Sequence, residues 1–397
     1  MDKENAYPEV GYQTAEWDML KPPSERLMPL THTHKLKLSD ISVRSDGEMT
    51  QYSLFDSHGN TYTQDQFDEI PDSPDIENLS DTLGKIESTE GQEKRLALAH
   101  LAKIVETNPT ESTEVVSVLT KYIGNAEPAV QGEALGILET ISSEQPEVVL
   151  SAVESSLNLL EESVHPLLRN EALAFLAVAT EQHTEPVVDV VPRLAELLQD
   201  RSTDVVSLSK IFIYIARHDP DSLIPVTTKL ELYLETEPGK AHVGILAALG
   251  YLSKTHPTMG KELIPIAIEL LNTNSPTLRA NSLGLLADLS DEYPTELKAI
   301  LPQVTELLED EDGKTRANAT SILARVANKH PEEVEPATDQ LIAALDDEMV
   351  DARFNACWAL NYMESEEALD KLYEVTTQDS DEEVRTVAHQ AIDSIES

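Results

Sequence analysis

The amino-acid sequence predicts an all-α fold, a right-handed α-solenoid of about eight helix pairs that follows a small β-meander and an extended N-terminal segment. Three observations predict it: a ladder of prolines with a fixed step, apolar columns that keep the same step, and a composition that favours helices. Aromatic residues make up only 5% of the 397 residues and glycine only 14 of them. Such a chain favours helices packed through Ala and Leu over β-structure.

The proline ladder begins near residue 109 and has a step of 37 residues. Each proline ends one helical pattern and precedes another, because proline lacks a backbone N–H and has a fixed φ. His183 occupies the one rung without a proline, and Pro186 follows it. The rungs with proline are Pro109, Pro146, Pro220, Pro257, Pro294 and Pro331.

Three apolar columns run in register with this ladder. Five residues before the rungs stand Ile104, Ile141, Val178, Ile215, Leu252, Leu289 and Val326. Eight before stand Leu101, Leu138, Phe175, Phe212, Leu249, Leu286 and Leu323, and fourteen after stand Ile123, Leu160, Leu197, Leu234, Leu271, Leu308 and Leu345. The first two columns share one helix face. Each unit is therefore predicted to hold two helices with a turn at the rung, and such short pairs must stack on their neighbours.

Polar residues repeat as well. Asp312 precedes Arg316, Asp347 precedes Arg353, and Asp381 precedes Arg385, while Asn281, Asn318 and Asn355 are 37 residues apart. With the helix pairs, these residues resemble HEAT repeats, a family of armadillo-type α-solenoids. The resemblance implies that the polar groups tie successive units together, although the early units lack the arginine and Arg169 lies one place out of register. It covers residues 89–397, read as seven full units, a shorter one at 349–380 and a final helix at 381–397.

The first 88 residues do not join the ladder. Residues 1–31 are predicted to be extended or disordered, residues 32–67 to form a small β-meander, and residues 68–88 to be an acidic linker. The meander alternates apolar and polar residues and has turns at Asp46-Gly47 and His58-Gly59-Asn60. Because so small a meander is marginal alone, we expect it to dock on the first helical unit or to be completed by a partner.

The formal net charge of −44 is spread over the chain. This excess disfavours binding to nucleic acid or to anionic membranes, which both need Lys and Arg. It favours a halophilic origin, since a salt-rich cytoplasm screens the repulsion within an acidic chain. No apolar run reaches the length of a membrane span, and the start does not read as a signal peptide. We therefore expect a cytoplasmic protein.

Few residues suggest catalytic chemistry, and no cofactor is predicted. His32, His34 and His58 could supply three nitrogens to a metal, but a polar strand start and a turn histidine are the favoured interpretation. Cys357 lies in an apolar helical run and is predicted to be a buried, inert thiol. The chain has no phosphate loop and no nucleophile or zinc motif. His218, His256 and His330 lie near the ends of predicted first helices, where capping is the expected role.

These features predict a non-enzymatic scaffold or adaptor that binds a protein partner on the concave face of the solenoid. The alternative is a regulatory or lyase-type HEAT-like subunit that handles a cofactor or metal with its N-terminal segment. Residues 201–261 form a near-neutral stretch, with 7 basic and 6 acidic side chains, in an otherwise acidic chain. Arg and Tyr are frequent interface anchors. The predicted partner-binding residues are Lys229, Tyr233, Lys210, Arg217, Lys240 and Tyr251.

Overall fold

The computed structural model describes residues 54–55, 61–62, 79–107, 112–161 and 164–397. The helices belong to two compact parts. The N-terminal part ends at Val226, and the C-terminal part runs from Thr227 to Ser397. Each part consists of stacked helix pairs, as the sequence predicts.

Two short strands precede the helices. β1 (Leu54–Phe55) and β2 (Thr61–Tyr62) pair antiparallel, with Leu54 opposite Tyr62. They fall within residues 32–67, but the rest of that range, with His32, His34 and His58, lies outside the described residues. A pair of two-residue strands does not amount to the predicted meander.

The helices of the N-terminal part alternate between long first helices and shorter second helices. In chain order they are α1 (Leu79–Ser88), α2 (Gly91–Thr107), α3 (Ser112–Asn125), α4 (Pro128–Glu144), α5 (Leu150–Leu157), α6 (Pro166–Ala179), α7 (Glu185–Val188), α8 (Val191–Leu197) and α9 (Val205–His218). Short 3₁₀ turns at Pro146–Val148, Asn158–Leu160 and Pro220–Val226 connect or extend them.

The C-terminal part continues the same alternation. Its helices are α10 (Thr227–Leu234), α11 (Lys240–Thr255), α12 (Pro257–Gly260), α13 (Ile264–Leu270), α14 (Pro276–Ser290), α15 (Pro294–Leu297), α16 (Leu301–Glu306), α17 (Gly313–Lys329), α18 (Pro331–Val334), α19 (Thr338–Ala344), α20 (Val350–Tyr362), α21 (Leu369–Gln378) and α22 (Glu382–Ile395). Single 3₁₀ turns lie at Lys261–Leu263, Lys298–Ile300, Leu307–Glu309, Glu335–Ala337 and Glu366–Ala368.

The ladder prolines start the second helices, as predicted. Pro257, Pro294 and Pro331 are each the first helical residue after a long first helix, where the missing N–H costs nothing. A further proline, such as Pro265 or Pro302, then lies at the start of a second helical piece. In these units the second proline, which the ladder did not reveal, divides the second helix into a short helix, a 3₁₀ turn and another helix.

The empty rung has its own contact. His183 Nε2 lies 2.6 Å from the carbonyl oxygen of Pro146, 37 residues earlier. The histidine thus joins its unit to the preceding one, at the repeat position that proline occupies in other units.

The predicted apolar columns form the core. Every member of the three columns is buried except Val178, which is half-buried. Residues eight before the rungs are the deepest, with Phe175, Phe212 and Leu286 at 0% exposure. The 37-residue step therefore corresponds to one helix pair of the stack.

The solenoid begins earlier than the sequence analysis placed it. Residues 79–88 belong to helix α1 and not to an acidic linker, because Leu79, Leu83 and Ile86 form a buried stripe against α2. Ile86 lies 37 residues before Ile123 and so extends the third column by one row. α1 is thus the second helix of an incomplete unit.

Arginines tie successive units together by pairing with aspartates further along the chain. Arg279, Arg316 and Arg353 form bidentate pairs with Asp310, Asp347 and Asp379, 31, 31 and 26 residues later, at distances between 2.6 and 3.1 Å. Asp312 and Asp381 instead cap the first turns of α17 and α22 by accepting from backbone N–H groups.

An equivalent pair exists before residue 275. Arg169, one place out of register in sequence, bonds Asp200 with the same 31-residue separation. The amides form a second ladder, because Asn318 Nδ2 donates to Ala280 O at 2.8 Å and Asn355 Nδ2 to Ala317 O at 3.4 Å. These bonds join first helices of neighbouring units.

Candidate functional site

Helix α10 carries the centre of the predicted partner-binding region. It buries Thr227, Leu230 and Leu234 against its neighbours. Residues between them lie on the outer side of the helix, and Leu232 is 52% exposed, the largest value among the exposed large hydrophobic residues described. Lys229 and Tyr233, one helical turn apart, are half-buried. α10 thus presents an aliphatic, an aromatic and a cationic side chain together.

Tyr233 is held in place by the start of the next helix. Its ring centroid lies 5.1 Å from that of His242 on α11. His242 is buried, and its Nδ1 accepts a hydrogen bond of 3.1 Å from the Gly239 N–H. Its Nε2 lies 3.3 Å from Thr236 O and therefore acts as the donor. Burial lowers the pKa of His242, partly offset by its bond to Thr236, so the ring is a neutral brace between α10 and α11.

Acidic side chains border this surface. Burial raises the pKa of Glu231, and the nearby carboxylates of Glu262 and Glu235 raise it further. Burial also raises the pKa of the Tyr233 phenol, which stays protonated and able to donate. The surface around α10 therefore combines one half-buried acid, exposed acids, a lysine and apolar groups, a mixture that suits a partner with both signs of charge.

The structure brings together only some of the six predicted residues. Lys229 and Tyr233 share α10, and Lys240 is the exposed first residue of α11, two positions before His242. Tyr251 lies on the C-terminal half of α11, with Lys254 Nζ 5.9 Å from its ring centroid. Lys210 and Arg217 belong to first helix α9 in the N-terminal part. The sequence analysis did not name Leu232 or His242, which lie on α10 and α11.

Other candidate groups have structural roles. Cys357 is fully buried, and burial raises the pKa of its thiol to about 12, as expected of an inert cysteine. His256 and His330 are the C-caps of α11 and α17, and His218 ends α9. Among the described residues, no group of three or more His, Cys, Asp and Glu side chains could hold a metal. No helix described here is long and apolar enough to cross a membrane.

In the comparison with protein families, residues 78–395 match the model of the adaptin N-terminal region. The chain belongs to this family. The match starts one residue before α1 and ends at the last residue of α22, so it covers the described solenoid. It confirms the resemblance to HEAT-like solenoids and identifies the chain as a helical scaffold or adaptor type.

Solved structures show the same fold. A crystal structure of an engineered protein is similar to this chain with a TM-score of 0.70 and 20% sequence identity, over 80% of this chain and 88% of that one. At this identity the similarity concerns the fold alone. No curated protein matches the sequence.

Proposed function

We propose that this member of the adaptin N-terminal region family is a non-enzymatic scaffold that binds a protein partner of mixed charge on its second helices. The supporting observation is the outer side of α10, where Leu232 is 52% exposed beside Lys229 and Tyr233. Elsewhere on the second helices the equivalent positions of Leu232 are polar or small: Glu269, Glu306 and Ala343. An exposed aliphatic residue next to a braced tyrosine is a typical interface anchor.

The partner-binding surface consists of Lys229, Leu232, Tyr233 and Lys240. Tyr233 would supply the anchor, since His242 already holds its ring and little side-chain entropy is lost on binding. Lys229 and Lys240 would meet acidic groups of the partner, whereas Glu231, Glu235 and Glu262 would meet basic ones. The proposed surface leaves out Lys210 and Arg217 on α9 and Tyr251 in the C-terminal half of α11.

The test is affinity capture from the native host at its own salt concentration, with wild-type and variant chains compared for the same partner. Lys229→Glu with Tyr233→Ala should abolish capture and leave the helical circular dichroism signal intact. Lys371→Glu with Tyr373→Ala is the matched control, because α21 is also a second helix and Tyr373 is 48% exposed. This control should leave capture unchanged.

Two outcomes would contradict the proposal. If both double variants lost capture equally, the effect would reflect charge and not this surface. If capture survived at α10 but failed after deletion of residues 1–88, the binding site would lie in the N-terminal segment.

A further inference from the structure

A histidine replaces the ladder arginine in one unit of the C-terminal part. Arg279, Arg316 and Arg353 are 37 residues apart, and the same step leads back from Arg279 to His242, the third residue of α11. The guanidinium of arginine stays protonated in proteins, whereas the imidazole of histidine gains or loses a proton near neutral pH. α11 therefore carries a titratable group at a position where later first helices carry a fixed charge.

His242 makes one of the two kinds of contact that the arginines make. Each ladder arginine donates to the carbonyl oxygen six residues before it, as Arg279 does to Thr273 O at 3.1 Å. His242 Nε2 lies 3.3 Å from Thr236 O, which is also six residues before it. The aspartate that lies 31 residues after Arg279 or Arg316 is replaced by Thr273 at the equivalent distance from His242. The bonds of His242 therefore act within the turn between α10 and α11.

These bonds require a neutral ring. Nδ1 accepts from the Gly239 N–H at 3.1 Å and so forms half of a capping box at the start of α11. Nε2 carries the ring proton and donates to Thr236 O. A second proton would have to bind Nδ1, where it would point at the Gly239 N–H. Protonation of His242 therefore removes the acceptor of the Gly239 N–H and breaks the capping box.

The surroundings of His242 also favour the neutral ring. Both ring nitrogens bond backbone groups, so neither is bonded to a carboxylate that would hold the charged form. Burial lowers the pKa of His242, and the bond to Thr236 offsets only part of this effect. The titratable groups near the start of α11 lie on the helices packed against it and in the turn before it: Lys229, Glu231 and Tyr233 on α10, Glu235 and Glu237 in the turn, Lys240 on α11 and Arg279 on α14, with none on α12.

The ring of His242 connects this turn to the anchor tyrosine of α10. Its centroid lies 5.1 Å from that of Tyr233, with the two planes tilted by 45°. Thr236, whose carbonyl accepts from Nε2, donates from its hydroxyl to Tyr233 O at 2.7 Å. A ring that turns away from Gly239 therefore withdraws from both the side chain of Tyr233 and the end of α10.

From this arrangement we infer that His242 is a pH-sensitive lock on the partner-binding surface of α10, closed when the ring is neutral and opened when it is protonated. The control of binding rests on the proposed function, whereas the lock is a property of this chain alone. The closed state needs a neutral ring, so it is fully favoured above the ordinary histidine pKa of about 6.5. As the pH falls below this value, the open state gains about tenfold per pH unit until the closed ring also takes up a proton.

Hydrogen exchange in the full-length chain tests the lock without a partner. After correction for the intrinsic effect of pH on exchange, protection of residues 234–241 should fall about tenfold between pH 7.5 and pH 5.5 in the wild type. His242→Gln keeps an acceptor for the Gly239 N–H and gains no proton, so its protection should stay constant. His330→Gln, at the C-cap of α17, is the matched control and should keep the wild-type fall.

A second variant covers the case in which His242→Gln disturbs α11. His242→Arg restores the residue type of the later units, which bonds the carbonyl oxygen six residues earlier. Its protection should likewise be independent of pH. Equal dependence on pH in the wild type and in both His242 variants would overturn the lock.

Partner capture then tests the control of binding. Wild-type capture should fall several-fold between pH 7.5 and pH 5.5, whereas capture by His242→Gln should not, which separates the lock from any titration of the partner. Lys229→Glu with Tyr233→Ala shows at pH 7.5 whether capture depends on α10. If it does, and wild-type capture has the same pH dependence as that of His242→Gln, the control of binding is overturned and the proposed function stands. If it does not, the proposed function fails, and hydrogen exchange still decides the lock.

Discussion

Arg316 and Asp347 join two successive units through parallel hydrogen bonds, Nε to Oδ2 at 2.6 Å and Nη2 to Oδ1 at 3.0 Å. The Arg316 Nη1 group also donates to Asp310 O at 2.9 Å. One guanidinium thus bonds the turn before its own helix and the turn after the following second helix. A planar fork with five donors can do this, whereas a lysine cannot.

A double-mutant cycle should show that this pair is energetically coupled. Arg316→Ala and Asp347→Ala should give a coupling energy of about 1–3 kcal/mol, since both side chains are largely shielded and the bonds are charge-assisted. The control is Lys121 with Glu87, which is 3.4 Å apart and more than half exposed. Its coupling should stay below about 1 kcal/mol. Chemical unfolding measures both cycles, and equal couplings would contradict a structural role for the ladder.

The aspartates of the ladder should make the solenoid sensitive to acid. Bonds from Arg353 lower the pKa of Asp379 and outweigh the effect of burial. Burial would raise the pKa of Asp347, but bonds from Arg316 and from the Met349 N–H together lower it. Because these folded-state pKa values lie below the unfolded value near 3.9, the stability that they contribute is complete above about pH 4. It is lost as the pH falls through the folded values.

Asp379→Asn should therefore lower the melting temperature at pH 7 and lower it less at pH 3. Asp351→Asn is a control of opposite sign, because partial desolvation and the charge of Asp381 raise the pKa of Asp351, although the residue is exposed at the surface. Its ionised form costs stability at neutral pH, so this variant should melt higher at pH 7 and lose the gain in acid. Calorimetry at both pH values checks the pair, and a pH-independent effect of Asp379→Asn would be evidence against the assignment.

Much of this fold is predictable from the sequence because the apolar residues recur with the same 37-residue step as the buried positions of the helix pairs. The columns of Leu286 and Leu308 predict the core, since every unit repeats the same contacts. Helix α1 was missed because the residues before it do not supply the first two columns, which leaves only Leu79, Leu83 and Ile86 as a short apolar stripe. The partner of Arg316 was not predictable either, because Asp312 is close in sequence while Asp347 is close only in the stack.

The candidate site is less predictable than the core. The charge composition points to the region of Lys229 and Tyr233. It does not show which residues of that region lie on first helices and which on second helices. Lys210 and Lys229 are equally basic in sequence, yet α9 is a first helix and α10 a second helix. The exposure of Leu232 and the brace from His242 depend on how α10 packs on α11, which no periodicity encodes.

Two glycines should respond to alanine in opposite directions. A Cβ at Gly260 would lie 2.7 Å from Leu289 Cδ2 and 2.8 Å from Ser253 Cβ, so Gly260→Ala must push α11, α12 and α14 apart. We expect a loss of about 1–3 kcal/mol. Gly84 in α1 has nothing within 4 Å of such a Cβ, and Gly84→Ala should gain up to about 1 kcal/mol from helix propensity. Unfolding in urea measures both variants, and a neutral Gly260→Ala would show that this contact is looser than described.

Salt should stabilise the fold, as the net charge of −44 predicts. Repulsion among exposed carboxylates acts over a screening length of about 10 Å at 0.1 M salt and about 3 Å at 1 M. Raising KCl from 0.1 to 1 M should therefore raise the melting temperature, with most of the gain at the lower concentrations. The shielded Arg316–Asp347 pair should lose little over this range.

Sucrose at matched osmolality is the control, because it favours burial without screening charge. An equal gain in sucrose and KCl would point to solute exclusion, and an unchanged melting temperature in KCl would remove the physical basis for a halophilic origin.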